Sequence, residues 1–236
     1  MSGKPYKEYY KELYVIQDDV FKIMEAYDFY LTGGTALSRF YLHHRYSDDL
    51  DFFVHKKPNF LDGMKEIIAK LKAKFNLETK VLVKDFAQVF IHTDAFHKKY
   101  KEQFPAKLKI DFVNELEIPR FGEFKKFEVF SRIDNTRNML SNKLTAITRL
   151  EPKDVADIWF ICKNLSFKWD EIIYEAEQKE AIEELMVFDL LKTFPPNMFN
   201  QIRWISPIKV EDFERDRQTI LQELLKKSPN SLFKRK

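Results

Sequence analysis

Asp49 and Asp51 stand one leucine apart in the run Asp49-Leu50-Asp51-Phe52-Phe53-Val54. In an extended strand, residues two apart share a face. Both carboxylates therefore point one way, and Leu50 and Phe52 point the other. Paired carboxylates repel, so they need a cation, a shared proton or open solvent. An oxygen-only donor set of this kind suits Mg²⁺, which keeps several waters and bridges to substrate phosphates. Just upstream, Gly33-Gly34-Thr35 opens a helical pattern. Backbone N–H groups at a helix start bind anions, and glycine lets a phosphate approach the backbone. Metal carboxylates beside a phosphate cradle are the equipment of phosphoryl or nucleotidyl transfer. Gly-Gly before a helix is common on its own, and Asp-x-Asp only somewhat less so; the pair, one short helix apart, is specific.

The neighbouring elements must hold these groups in position. Phe29, Tyr30 and Leu31 form a short apolar strand leading into the glycines. Leu37, Phe40 and Tyr41 then recur on one helical face, with Arg39 and His43 on another. Residues 6–27 read as an amphipathic packing helix, with Tyr10, Leu13, Val20, Phe21 and Met24 at helical spacing. Pro58-Asn59 marks a turn into a second helix, 60–75, whose lysines are either a solvated face or the border of a polyanion groove. Residues 77–83 and 87–92 predict a hairpin turning at Lys84-Asp85. The loop with Phe96, His97, Lys98, Lys99, Tyr100 and Lys101 interleaves bases with aromatics, as single-strand nucleic-acid binders do, and as ordinary surface loops also do. Residues 106–113 alternate as a strand, with Leu108, Ile110 and Phe112 on one face and Lys107, Lys109 and Asp111 on the other. A short strand is predicted at 127–131. Beyond residue 133 the pattern is helical: 136–150, 153–164 behind Pro152, one or two helices over 169–193, and 210–227, before a frayed tail.

Composition bounds the answer. A chain of 236 residues is long enough for one large or two small domains. With 44% hydrophobic and 33% charged residues it reads as soluble and globular, and 23 phenylalanines predict an aromatic core. A net charge of +3 is too small to argue nucleic-acid binding by itself. The one cysteine, Cys162, lies in an apolar run and reads as a buried thiol. His43, His44, His55, His92 and His97 have no zinc spacing. Neither a signal peptide nor a membrane-length apolar run is legible, so a cytoplasmic protein is expected.

Gly33-Gly34-Thr35-Ala36-Leu37, followed by Arg45, Ser47, Asp49, Leu50 and Asp51, resembles the AbiEii/AbiGii toxin family within the DNA polymerase beta-like nucleotidyltransferase superfamily. Asp48 falls between motif positions and reads as a bystander. The resemblance implies a third carboxylate from a later neighbouring strand, for which Asp111 is the candidate. It extends to a second motif: Asn142-Lys143-Leu144-Thr145-Ala146, Arg149, then Lys153-Asp154-Val155-Ala156-Asp157. Lys153 stands where arginine is commoner, keeping the charge but losing the bidentate fork. Lys143 is the expected triphosphate contact. Asp154 and Asp157 are either functional or partners of Arg149 in an ion pair between helices.

The expected fold is α/β (α+β), a nucleotidyltransferase-type mixed sheet over residues 1–132 and a helical lobe over 133–236, with the active site in the cleft. The resemblance implies Mg²⁺ on Asp49, Asp51 and Asp111, with Lys143 as a further catalytic group. Nucleotide binding is expected at Gly33, Gly34, Thr35, Ser47, Lys143 and Asp157. Transfer of NMP from an NTP to an acceptor follows, with tRNA as acceptor and a cognate antitoxin as partner. A small-molecule or protein hydroxyl as acceptor, or nucleotide binding without turnover, are the alternatives.

Overall fold

A computed structural model describes residues 4–93, 100 and 104–234. Phe96, His97, Lys98, Lys99 and Lys101 of the basic aromatic loop, and the last two residues of the tail, lie outside the described residues. The chain forms two compact units. One comprises Met1–Ala36, Ser47–Glu117 and Phe124–Asp134; the other comprises Leu37–Tyr46, Ile118–Glu123 and Asn135–Lys236.

The first unit is a five-stranded mixed sheet with helices. Its strands are β1 (Tyr30–Thr32), β2 (Leu50–His55), β3 (Leu77–Val83), β4 (Phe86–His92) and β5 (Lys107–Glu115), in spatial order β1-β2-β5-β4-β3. Only β2 and β5 run parallel; the other pairings are antiparallel. The hairpin expected around Lys84-Asp85 is β3–β4. Strands β2, β4 and β5 alternate in burial, as half-buried strands do. One row across the sheet is Leu31, Phe52, Phe112 and Ala87, all fully buried. The adjoining row is Thr32, Asp51, Asp111 and Gln88. The alternation thus gives one face to the core and leaves the other, which carries Asp51, Asp111 and Gln88, less buried.

Helices α1 (Lys4–Met24) and α3 (Phe60–Lys74) supply the apolar cover. Phe21 of α1 meets Phe52 edge-on at 6.1 Å between ring centroids, and Phe29 lies between Phe60 and Phe112. Beside β1, Leu31 N–H donates to Arg132 O, and Asp134 N–H donates to Leu31 O. Residues 127–131 do not form the expected strand. Lys125 and Ile133 pair antiparallel instead, and the residues between them turn, with Phe127 N–H donating to Phe130 O. Phe130 is buried against Phe21, so the apolar alternation there serves a turn packed on the core.

After β1 the chain makes one α-turn, α2 (Gly33–Ala36), and continues as wider π-helical turns over Leu37–Leu42. The helical unit contains α4 (Thr136–Thr145), α5 (Pro152–Asn164), α6 (Trp169–Glu177), α7 (Glu184–Thr193) and α8 (Val210–Lys226). Asn135 caps α4, its side-chain oxygen accepting from Asn138 N–H at 2.9 Å. A 3₁₀ turn, Ala146–Arg149, ends that segment, and Leu150 turns the chain at φ +54°. Pro152 opens α5, where its missing N–H leaves no helical bond unmade. Trp159 of α5 stacks at 6.2 Å on Phe199 and donates from Nε1 to Asp216 at 3.0 Å. Cys162 is fully buried, and burial pushes its thiol pKa well up. Among the described residues, no helix is long and apolar enough to cross a membrane.

Candidate active site

The polar row of the sheet carries the acidic residues singled out by the sequence. Asp51 and Asp111 are register partners on the parallel strands β2 and β5. Asp49 lies just before β2; continuing the register sets it level with Lys109. Lys109 Nζ stands 3.2 Å from Asp49 Oδ2 and 3.1 Å from Asp111 Oδ2. Gln88, opposite Asp111 on β4, donates from Nε2 to the other oxygen, Oδ1, at 2.8 Å. Partial burial opposes the Lys109 charge, but the carboxylates of Asp49 and Asp111 outweigh it and hold the ammonium's pKa up. The sheet thus brings Asp49, Asp51 and Asp111 onto one face. Lys109 was legible on that face from its two-residue spacing to Asp111, but not as their counter-ion.

Gly33 closes the other side of Asp51. Its φ is +73°, a region glycine enters freely. A Cβ built there would stand 2.3 Å from Asp51 Oδ2, so backbone and carboxylate are in direct contact. Thr35 is fully buried, and its hydroxyl donates to the backbone oxygen of Asp49, tying the glycine turn to the start of β2. Asp48 faces elsewhere: Tyr10 of α1 donates to its Oδ1 at 2.5 Å, and Gln17 to its backbone oxygen at 3.0 Å. Ser47 is half-buried. Thr32 donates to the buried Asp134 at 2.9 Å, a pairing the sequence did not signal.

The donor chemistry fits a divalent cation of the Mg²⁺ type. That ion is held by one or two carboxylates together with waters and substrate phosphates rather than by a full protein cage. Here three carboxylates share a face, and a positive charge is already seated on two of them. Among the described residues, no three His, Cys, Asp or Glu side chains are gathered closely enough to hold a metal ion; Asp49 and Asp111 have the ammonium between them.

The helical unit holds a second cluster, built on Asp157 of α5. Arg45 grips it bidentately, Nε to Oδ1 and Nη2 to Oδ2, both at 2.7 Å. His44 Nε2 donates to Oδ1 at 2.8 Å, and Lys143 Nζ lies 2.8 Å from Oδ2. Lys143 also donates to Asp154 at 2.6 Å, and Arg149 donates to the other oxygen of Asp154 at 2.7 Å. Asp154 and Asp157 are both fully buried. Burial alone would raise the Asp157 pKa, but the charges of Arg45 and Lys143 and the bonds from His44 and Arg45 hold it well below the carboxylate range. Burial opposes the charge on Lys143 too, and Asp157 and Asp154 overcome it, so its pKa is raised. His44 goes the other way: burial lowers its pKa, only partly offset by Asp157. The neutral ring, bonded to Asp157, carries its proton on Nε2, and Nδ1 is buried with no hydrogen-bond partner among the described residues. Of the two ion pairs expected for Arg149, the one with Asp154 forms, while Asp157 is held by Arg45, His44 and Lys143. Arg45, from the first motif, is joined to Asp157, from the second. A cavity of about 350 Å³ elsewhere in this unit, lined by Phe121, Arg137, Asp170, Glu171, Tyr174 and Glu175, contains none of the expected site residues.

A model of the family described as nucleotidyl transferase AbiEii toxin, of type IV toxin–antitoxin systems, matches residues 23–234. Two solved structures from Helicobacter pylori share the fold. One is JHP933, with a TM-score of 0.60 and 20% identity, covering 100% of this chain and 96% of that one. The other is a putative nucleotidyltransferase, with a TM-score of 0.61 and 19% identity, covering 100% of this chain and 99% of that one. No curated protein sequence matches the chain.

Proposed function

The chain belongs to the AbiEii nucleotidyl transferase toxin family of type IV toxin–antitoxin systems, and from that premise we propose that it transfers NMP from an NTP to an acceptor hydroxyl, using Asp49, Asp51 and Asp111 as its metal-holding carboxylates. The observation that carries this reading is the pairing of Asp51 with Asp111 across β2 and β5, with Asp49 joined to Asp111 through Lys109. Bound to these carboxylates, Mg²⁺ would neutralise the triphosphate and activate the acceptor oxygen.

The chain's own residues do the rest. Gly33 and Gly34 present backbone N–H groups to the phosphates, where a side chain at Gly33 would collide with Asp51. Thr35 holds the glycine turn against Asp49, and Ser47 assists beside it. The acceptor oxygen bonds to the α-phosphorus, the bond to the β-phosphate's bridging oxygen breaks, and pyrophosphate leaves. The acceptor's proton passes to a carboxylate of the set. In the helical unit, the nucleotide-binding role of Lys143 and Asp157 is a separate proposal that rests on the family resemblance; in the protein without nucleotide, Lys143 is held by Asp154 and Asp157.

We assign tRNA as the acceptor, on the family resemblance, and the cytoplasm as the place of action, where both substrates are found. The cognate antitoxin implied by the family is the remaining partner. Incubation with labelled NTPs, Mg²⁺ and total tRNA tests the reading: label on tRNA is expected. Label on a protein or small molecule overturns the tRNA assignment alone. Nucleotide binding with no transfer to any acceptor overturns the enzymatic reading.

A further inference from the structure

Lys109 is placed where a divalent ion would also have to bind. Its ammonium spans Asp49 and Asp111 at 3.2 and 3.1 Å. Gln88 donates to Asp111 Oδ1, and Oδ2, the oxygen turned to Lys109, is where the ammonium and an incoming ion would compete. The side chain is 31% exposed, which gives it a route to solvent. A lysine is a compact charge on a flexible four-carbon stem, and unlike arginine it has no planar fork to lock it onto two carboxylates. Its neighbour along the face, Lys107, is engaged with Glu78 on β3 and takes no part.

We propose that Lys109 is an exchangeable counter-ion of the acidic site: it holds Asp49 and Asp111 together while no divalent ion is bound, and surrenders them when one binds. The argument is electrostatic. Asp49 and Asp111, drawn to within reach of one ammonium, would repel one another without a cation. The ammonium removes that repulsion in the free protein and keeps the strand ends in register. The same charge then disfavours a second cation on the same oxygens, so the resting protein binds a divalent ion more weakly than its acids alone would. Lys109 is in this sense a positioning residue, acting through Asp49 and Asp111. The inference rests on the reading of Asp49, Asp51 and Asp111 as the metal site.

The test is a calorimetric titration of Mn²⁺ into the full-length, metal-free protein without nucleotide, with melting temperatures taken before and after. Wild type, Lys109→Met, Lys109→Gln, Lys109→Arg and Asp111→Asn are compared. Removing a unit charge within about 4 Å of the ion is expected to tighten Mn²⁺ binding by about tenfold or more in the Met and Gln variants. Both should melt lower than wild type without Mn²⁺ and regain the difference with it, while Lys109→Arg binds no more tightly than wild type. Unchanged or weaker Mn²⁺ binding by the Met and Gln variants, with binding lost in Asp111→Asn, overturns the role of Lys109 and leaves the acidic site standing. Wild-type affinity in Asp111→Asn, or no Mn²⁺ binding by any form, overturns the site itself and this inference with it.

Discussion

The carboxylate of Asp51 rests on the backbone of Gly33, leaving no room for a side chain between them. Gly33→Ala would push Asp51 off its contact and force a non-glycine residue to φ +73°, at a cost of about 1–3 kcal/mol. The expected outcome is loss of nucleotide transfer together with a melting temperature lower by several degrees. Full activity in this variant would separate Gly33 from the chemistry.

Asp51→Asn and Asp111→Asn keep side-chain volume but remove one negative charge each from the acidic face. Transfer should fall by a factor of at least about 100, comparable to removing a key electrostatic group from an active site. Far-ultraviolet circular dichroism should be unchanged, since both side chains lie on the polar face of the sheet and not in its apolar core. Retained transfer in either variant would remove that residue from the mechanism.

The elements that surround the acids were largely legible, for a physical reason. In β4 and β5 one face is buried and the other is less so, and Ala87, Val89 and Ile91, and Leu108, Ile110 and Phe112, recur at every second position on the buried face. The same alternation misled at 127–131, where Phe130 reaches the core from a turn. The π-helical turns at Leu37–Leu42 were not readable, because they differ from an α-helix in hydrogen-bond spacing more than in which residues are apolar. The carboxylate partners of Lys109 and His44 were not legible, for a shared reason. A lysine on a polar strand face and a histidine in a loop look ordinary until a second segment brings them carboxylates.

Asp157 anchors three basic side chains in the helical unit, so its loss is predicted to be costly. Asp157→Ala leaves the buried Arg45 without its fork and should destabilise the protein by about 3–5 kcal/mol in urea denaturation. The acid dependence follows from its depressed folded pKa. Its contribution is complete above the unfolded carboxylate value, about 3.9, and is lost as pH falls from there toward the lower folded pKa. A wild-type advantage over the variant that persists undiminished at the acid end of this range would contradict that assignment.

His44 predicts a change at higher pH. Burial holds its folded pKa below the ordinary histidine value of about 6.5, so the unfolded chain takes up the proton first on acidification. Stability attributable to the neutral ring is present above that value and is lost as pH falls below it. His44→Gln keeps a donor for Asp157 but cannot titrate. The difference in unfolding free energy between wild type and variant should therefore shrink between pH 7 and 5. A difference independent of pH would mean that His44 does not titrate on unfolding.

Lys143→Ala tests the nucleotide assignment in the helical unit. It leaves Asp154 with Arg149 and Asp157 with Arg45 and His44, so a folded protein is expected, less stable than wild type. If Lys143 contacts nucleotide, KM for NTP rises more than kcat falls. An unchanged KM with lowered stability would give the residue a bracing role only.

If the acids act as proposed, the two neighbouring rows of the sheet make catalysis and folding answer to one constraint. A slip of a single residue between β2 and β5 would swing Asp51 inward among the phenylalanines and turn Phe52 out to water. Misalignment of the acids is thus penalised by the hydrophobic effect, long before any substrate arrives. Close packing of the interior thereby fixes the geometry of the acids as well.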